Sequence, residues 1–251
     1  MSISRVLTRR AMFLGATAFS CLLPMLASAA DPARVLVAGA TGRTGGYIIR
    51  ELRDAGYQVR AMTRDPARAA ERLGDDWDWV QADVREPSDL TAAMQDVDFL
   101  VCSIGARSRS GPDGPEFVDY GGVRNLVDAA VEAGVRHFVL ISSAAAGPHR
   151  KRSRMATTGD IRYWKTRGED HLKLSGLDYT IIGPGGLMNV SGGATGTRVL
   201  ARRDYGVGRI AMGEVARIAV HALTDPDARN KSFAAIEDDD IAPGAWRELL
   251  S

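Results

Sequence analysis

The chain has 251 residues, 45% of them hydrophobic, and its 32 basic and 31 acidic side chains leave a formal net charge of +1. That balance offers no basic surface for nucleic acid, and the hydrophobic share is enough for a sizeable core. With only two cysteines, a disulfide framework is excluded as the organising principle.

The first thirty residues contain Arg5, Arg9 and Arg10 and no acid, then an apolar run from Ala11 to Leu26, then the small residues Ala27 to Ala30. Basic, apolar and small segments in that order predict a cleavable signal peptide over residues 1–30. A membrane span is disfavoured because the run is short and broken by Pro24. Arg9-Arg10 resembles a twin-arginine signal, although Phe13-Leu14 comes one residue late; an ordinary signal with adjacent arginines is the alternative. Cys21 stands in a poor context for a lipid anchor. The expectation is an exported protein of the bacterial periplasm, with no transmembrane span in the mature chain. Residues 31–251 then carry 29 basic and 31 acidic side chains, a net charge of −2, with Cys102 as the only cysteine.

From there, short apolar runs alternate with amphipathic stretches. "RVLVAGA" reads as a buried strand, and Ile48, Ile49, Leu52 and Ala55 fall at helical spacing before Gly56. "QVRAMTR" and "WDWVQAD" read as the second and third strands, with Trp77 and Trp79 as packing residues. Ser88 is a plausible N-cap for a helix through Met94, "DFLVCSI" a fourth strand, and Tyr120 to Ala133 a helix ended by Gly134. "HFVLISS", a helix near Asp160 to Leu174, "DYTIIGP", a helix from about Gly213 to Leu223 and "SFAAI" continue the pattern.

Strands separated by helix-length segments predict a single-domain α/β fold: a Rossmann-like, doubly wound parallel sheet with helices on both faces. The stretch after Ile236 either covers a pocket or packs against the sheet. Two loops, Gly105 to Glu116 and Gly147 to Gly159, follow strand carboxyl ends, where an open α/β sheet places its ligand.

Gly39, Gly42 and Gly45 form G-x-x-G-x-x-G between the first strand and the first helix. Glycine there lets the chain turn tightly and bring its amides against a pyrophosphate, with the positive end of the helix dipole behind them. A tight turn alone would explain the triplet. Its place in a βαβ unit, with Arg64 at the end of the second strand, makes dinucleotide binding the stronger reading.

Together, "VLVAGATGRTGG", "RAMTRDP", "DFLVCSIGA", "FVDYGGVRNLVDAAVEAGVRHFVLISS" and "SGLDYTIIGPGGL" resemble the atypical short-chain dehydrogenase/reductase family. The similar branch is its compact NAD(P)H-binding group, which includes NmrA-like proteins and biliverdin reductase B-like flavin reductases. The resemblance implies that Gly39, Thr41, Gly42, Arg43, Thr44 and Gly45 form the pyrophosphate loop. It puts Asp83 and Val84 at the adenine, Ser103, Ile104 and Gly105 at the nicotinamide ribose, and Pro184, Gly185, Gly186 and Leu187 against the nicotinamide. Gly183 departs from it, since an arginine commonly precedes that proline. Arg64, with Arg43 reaching the same place, suits a 2′-phosphate and favours NADP; Asp65, an acid that could hold a ribose, keeps NAD open. Asp83 could equally be a turn-capping carboxylate.

Family enzymes use a serine, a tyrosine and a lysine. The resemblance assigns Ser142 or Ser143 and Lys165 to these catalytic roles, Lys165 also binding ribose. The tyrosine is expected four residues before the lysine, where this chain has Ile161. Tyr163, two residues from Lys165, falls on nearly the opposite helix face and reads as a packing or surface residue. His149 is a conceivable proton donor, and Arg150, Lys151, Arg152 and Arg154 form a basic loop that could meet an anionic substrate or a protein partner. No metal site is expected. The leading reading is an NADP(H)-dependent oxidoreductase passing hydride to a conjugated small molecule such as a flavin, quinone or tetrapyrrole. The alternative is a non-catalytic NADP-binding redox sensor or protein assembly factor, and the sequence leaves the oligomeric state open.

Overall fold

The computed structural model describes residues 31–148 and 160–249. The predicted signal peptide, and His149 with the basic run Arg150 to Arg154, lie outside the described residues. From Pro32 onward the chain forms one compact unit.

In chain order the elements are β1 (Arg34–Ala38), α1 (Arg43–Asp54), β2 (Gln58–Thr63), α2 (Pro66–Leu73), β3 (Asp78–Gln81), α3 (Pro87–Ala93) and β4 (Phe99–Cys102). A π-helical stretch, Glu116–Gly122, then runs into α4 (Val123–Ala133). There follow β5 (His137–Ile141), α5 (Ile161–Leu174), β6 (Tyr179–Pro184), β7 (Gly186–Met188), β8 (Gly196–Ala201), β9 (Arg209–Ala211), α6 (Met212–Ala222), β10 (Lys231–Asp238) and α7 (Trp246–Leu249). Eight strands form one sheet in the order β3-β2-β1-β4-β5-β6-β10-β8, and β7 pairs with β9 apart from it. Every neighbour in the large sheet is parallel except β8, which runs antiparallel to β10 at the edge.

Period-two alternation along β1 shows why helices cover both faces. Val35 and Val37 pack with Ile48, Ile49 and Leu52 of α1 and with Val215 and Ile218 of α6. Leu36 and Ala38 point the other way, to Leu90 of α3, Leu126 and Val127 of α4 and Leu172 of α5. Trp246 is fully buried in the first of these cores and donates its indole N–H to Glu214 Oε1 at 2.5 Å. The end after Ile236 therefore packs onto α6.

The structure corrects two local expectations and adds elements that were not expected, among them α2 and β8. Ser88 is not the N-cap of α3: the helix begins at Pro87 with Glu86 before it, because the ring of Pro87 presets the first helical φ and needs no donor. The fourth helix starts earlier than Tyr120, through wide turns in which the amides of Asp119 and Tyr120 both reach the Pro115 carbonyl. α2 was not anticipated; Asp65 caps it, accepting from the Arg68 amide, and Pro66 occupies its first turn. β8 was not anticipated either, and it makes the otherwise parallel sheet mixed.

His137 opens β5 in a buried setting. Thr180 Oγ1 donates its one proton to the Ala228 carbonyl at 2.7 Å, so at 2.9 Å it accepts from His137 Nε2–H of the neutral ring. Burial, the largest influence, pushes the imidazole down to about 4. A depressed folded value means that protons bind the unfolded chain first, so this contribution is whole above the free histidine value of about 6.5 and is lost as pH falls toward 4. Unfolding free energies from urea titrations at pH 7 and pH 4.5 should therefore differ by on the order of 2 kcal/mol more in the wild type than in a His137→Gln variant. Equal pH dependence in the two proteins would refute this.

Candidate functional site

Strand order reverses between β1 and β4, whose neighbours lead away in opposite directions. Such a switch point opens a crevice at the strand carboxyl ends. A solvent-open cleft lies there, walled by the β1–α1 turn, the ends of β2 and β3 and the loop after β4.

The β1–α1 turn is built by exclusion of side chains. Gly39 has φ +87°, and a Cβ there would come within 2.7 Å of the Ser103 carbonyl oxygen. At Gly45 a Cβ would be 2.1 Å from the Gly39 carbonyl oxygen, so the first turn of α1 lies directly on the strand end. Gly42 takes the N-cap position with no side-chain cap, which leaves amides of the first turn for a ligand. An uncapped helix start and glycine-only approaches at the head of this cleft suit a dinucleotide pyrophosphate.

Of the residues assigned to the cofactor, Gly39, Thr41, Gly42, Arg64, Asp83, Val84, Ser103, Ile104 and Gly105 line this cleft. Arg43, Thr44 and Gly45 do not. Thr44 and Gly45 are buried in the first turn of α1, and Arg43 is exposed. Asp65 is engaged as the cap of α2 rather than lining the cleft. Asp83 lines the cleft, and its Oδ1 accepts from the Arg85 amide at 3.0 Å, as the turn-capping reading expected. The Arg85 guanidinium grips the same carboxylate with two N–H groups and holds it below the usual carboxylate range. Val84 is fixed from behind, where the buried Asn125 amide donates to its carbonyl.

Lys165 is mostly buried in α5, and its Nζ is 2.8 Å from Oδ1 of the fully buried Asp119. The other oxygen of Asp119 accepts from the Ala106 amide at 2.9 Å, so this carboxylate ties the lysine to the loop after β4. Ile161 occupies the first position of α5 and is exposed. Tyr163 lies edge-on to Trp164 at 5.0 Å, which agrees with its packing role. Cys102 is buried beneath the site, and burial raises its thiol to about 11, leaving it protonated and unreactive at neutral pH.

The Ser142 hydroxyl donates to Glu169, a fully buried carboxylate one turn along α5 from Lys165. Glu169 is paired with Arg202 at 2.9 Å, and Arg202 also donates to the carbonyls of Ser143 and Ala146 at 2.5 and 2.7 Å. Gly183 makes this possible, because a Cβ there would stand 2.7 Å from Arg202 Nε. The space beside Gly183 is thus filled by a guanidinium from the segment after β8. Pro184, Gly185, Gly186 and Leu187 continue from the end of β6 outside the cleft lining. Their backbone is held by Ala235 and Gly208, and Leu187 is half exposed.

Sequence reasoning missed Arg85, Arg107 and Asp113 in the cleft, Asp119 beside Lys165, and Glu169 and Arg202 beneath the serine pair. Only Glu169 carried a local signal, lying four residues from Lys165 and so on the same helix face. Among the described residues no group of His, Cys, Asp and Glu is arranged to hold a metal, and no helix is long and apolar enough to cross a membrane.

Comparison with known proteins agrees with this geometry. The family described as NAD(P)H-binding matches residues 39–226. Sanguinarine reductase from Eschscholzia californica is 30% identical over 249 residues, covering 83% of this chain and 90% of that protein. NAD(P)H azoreductase from Xenophilus azovorans is 30% identical over 207 residues, covering 79% of this chain and 66% of the relative. The solved structure of an anaerobillin reductase from Escherichia coli O157:H7 shares the fold, with a TM-score of 0.68 at 24% identity over 82% of this chain and 98% of that one. With its Rossmann-like sheet, glycine-built turn and matched sequence, the chain belongs to the NAD(P)H-binding family, in the NmrA-like and biliverdin reductase-like branch of the short-chain dehydrogenase/reductases.

Proposed function

We propose that the mature chain is an exported NADP(H)-dependent reductase that passes hydride to a conjugated small molecule such as a flavin, quinone or tetrapyrrole. The observation that carries this reading is the set of three arginines, Arg64, Arg85 and Arg107, that lines the cleft together with two acids, Asp83 and Asp113, while the competing acid Asp65 is committed to capping α2. When bound, NADPH supplies the hydride. The chain's residues bind and orient. Amides of the Gly39–Gly42 turn hold the pyrophosphate, Arg64 the 2′-phosphate, and Ser103 to Gly105 the nicotinamide ribose. Asp119 keeps the Lys165 ammonium in place toward the same strand ends.

Ile161 in the tyrosine position leaves no phenol there to donate a proton. The proton then comes from water, and the acceptors that fit are those whose reduced form conjugation stabilises. Two relatives named as reductases, one of them an azoreductase, support this class. A twin-arginine signal would let the folded domain cross the membrane with its nucleotide already bound.

Native purification from the exported compartment, followed by mass spectrometry of the released nucleotide, is expected to yield NADP(H). The protein is then expected to oxidise NADPH with at least one acceptor from a panel of flavins, quinones, azo dyes and tetrapyrroles. No turnover across the panel, with nucleotide-dependent capture of a protein partner, would replace this reading with the sensor or assembly role that Ile161 also favours.

A further inference from the structure

The loop after β4 returns over the cleft and places one carboxylate between two arginines. Asp113 Oδ1 is 3.2 Å from Arg64 Nη1 and 3.2 Å from Arg85 Nη1. We propose that Asp113 is an internal stand-in for a phosphate monoester, a latch that fills the arginine site until the 2′-phosphate of a bound nucleotide displaces it, so that Asp113 sets the selectivity between phosphorylated and unphosphorylated ribose. This rests on the NADP reading above.

Three observations support it. First, the two arginines are prepared for an anion to different degrees. Arg85 is anchored independently, its Nε and Nη2 gripping Asp83 at 3.0 and 2.5 Å, so its Nη1 stays directed into the cleft when Asp113 leaves. Arg64 is about half exposed and reaches across to Asp113. Second, the latch is weak. Both contacts are long for charge-assisted hydrogen bonds and Asp113 is half exposed, whereas a dianionic phosphate presents three strong acceptor oxygens. Third, the loop is closed mostly on itself, through Ser108 to Asp113 and Gly114 to Gly111, with Gly111 at φ +77°. Besides Asp113, the Pro112 carbonyl, 3.3 Å from Arg85, joins that stretch to the β3 end. Release of these contacts frees the loop without disturbing the sheet.

A phosphate dianion and the Asp113 carboxylate repel each other at one site, whereas a free ribose hydroxyl does not require the carboxylate to leave. Removing the charge with Asp113→Asn should therefore favour only the phosphorylated ligand. The test is isothermal titration calorimetry of the purified protein with 2′,5′-ADP and with 5′-ADP as probes, paired with hydrogen exchange of the loop. The wild type is expected to prefer 2′,5′-ADP, and Asp113→Asn to widen that preference by about 3- to 10-fold, mostly through tighter 2′,5′-ADP binding. Addition of 2′,5′-ADP, but not 5′-ADP, is expected to speed amide exchange across residues 107–114 of the wild type. A preserved wild-type preference that Asp113→Asn leaves unchanged or narrows overturns the latch while the NADP reading stands. Absence of any preference in both proteins overturns the NADP reading and the latch with it.

Discussion

Replacing Arg202 by methionine is expected to lower the unfolding free energy by about 3–5 kcal/mol, because it leaves the fully buried Glu169 carboxylate without its paired charge. Lys173 is 3.9 Å from the other Glu169 oxygen and half-buried, too distant to replace a contact of 2.9 Å. The same change strips the donors from the carbonyls of Ser143 and Ala146, whose segment follows β5 into the site. The double variant Glu169→Gln, Arg202→Met leaves no buried charge and should recover more than half of the loss, since replacing both members of such a pair is often nearly neutral. Denaturant midpoints of the four proteins measure this directly. A single variant within about 1 kcal/mol of the wild type would show that the pair carries no such weight.

Gly45→Ala should weaken nucleotide binding on the order of 10- to 100-fold, the equivalent of about 1–3 kcal/mol of forced displacement in a packed turn. The added methyl meets the Gly39 carbonyl oxygen at 2.1 Å, and that atom is backbone, unable to swing aside as a side-chain tip would. The strain falls where β1 hands over to α1, so it moves the amides of the pyrophosphate turn rather than the sheet beneath. Calorimetric affinity for NADPH beside the thermal midpoint distinguishes this from general unfolding: binding should fall much more than stability. Gly46→Ala serves as the control, because a Cβ there meets nothing nearer than 3.7 Å, the tip of Arg50.

Much of the framework was legible because its causes are local. The apolar run of β1 is buried on both faces, as a central parallel strand must be, and its residues alternate between the two helix layers. The glycine triplet announced its turn because only glycine fits where a Cβ would strike backbone. Gly134 ends α4 in the left-handed region, as its position after a periodic stretch suggested. Where a reading missed, a stronger local device was present. Pro87 outranked Ser88 at the start of α3, and Asp65-Pro66 opened a helix that the periodicity had not announced.

By itself, then, the sequence determined the alternation of strands and helices, the doubly wound sheet and the nucleotide turn, since each follows from periodicity or from steric limits among residues near one another in the chain. Only the tertiary structure decided which charges meet. Arg64 finds Asp113 across 49 positions, Lys165 meets Asp119 on another helical segment, and Arg202 reaches Glu169 from beyond an antiparallel edge strand. An arginine in "ARRD" has the same local pattern whether it faces water or a buried glutamate. The physical difference is the low-dielectric space that β8, the glycine at 183 and the end of β5 enclose around it, and that space exists only once the sheet has assembled.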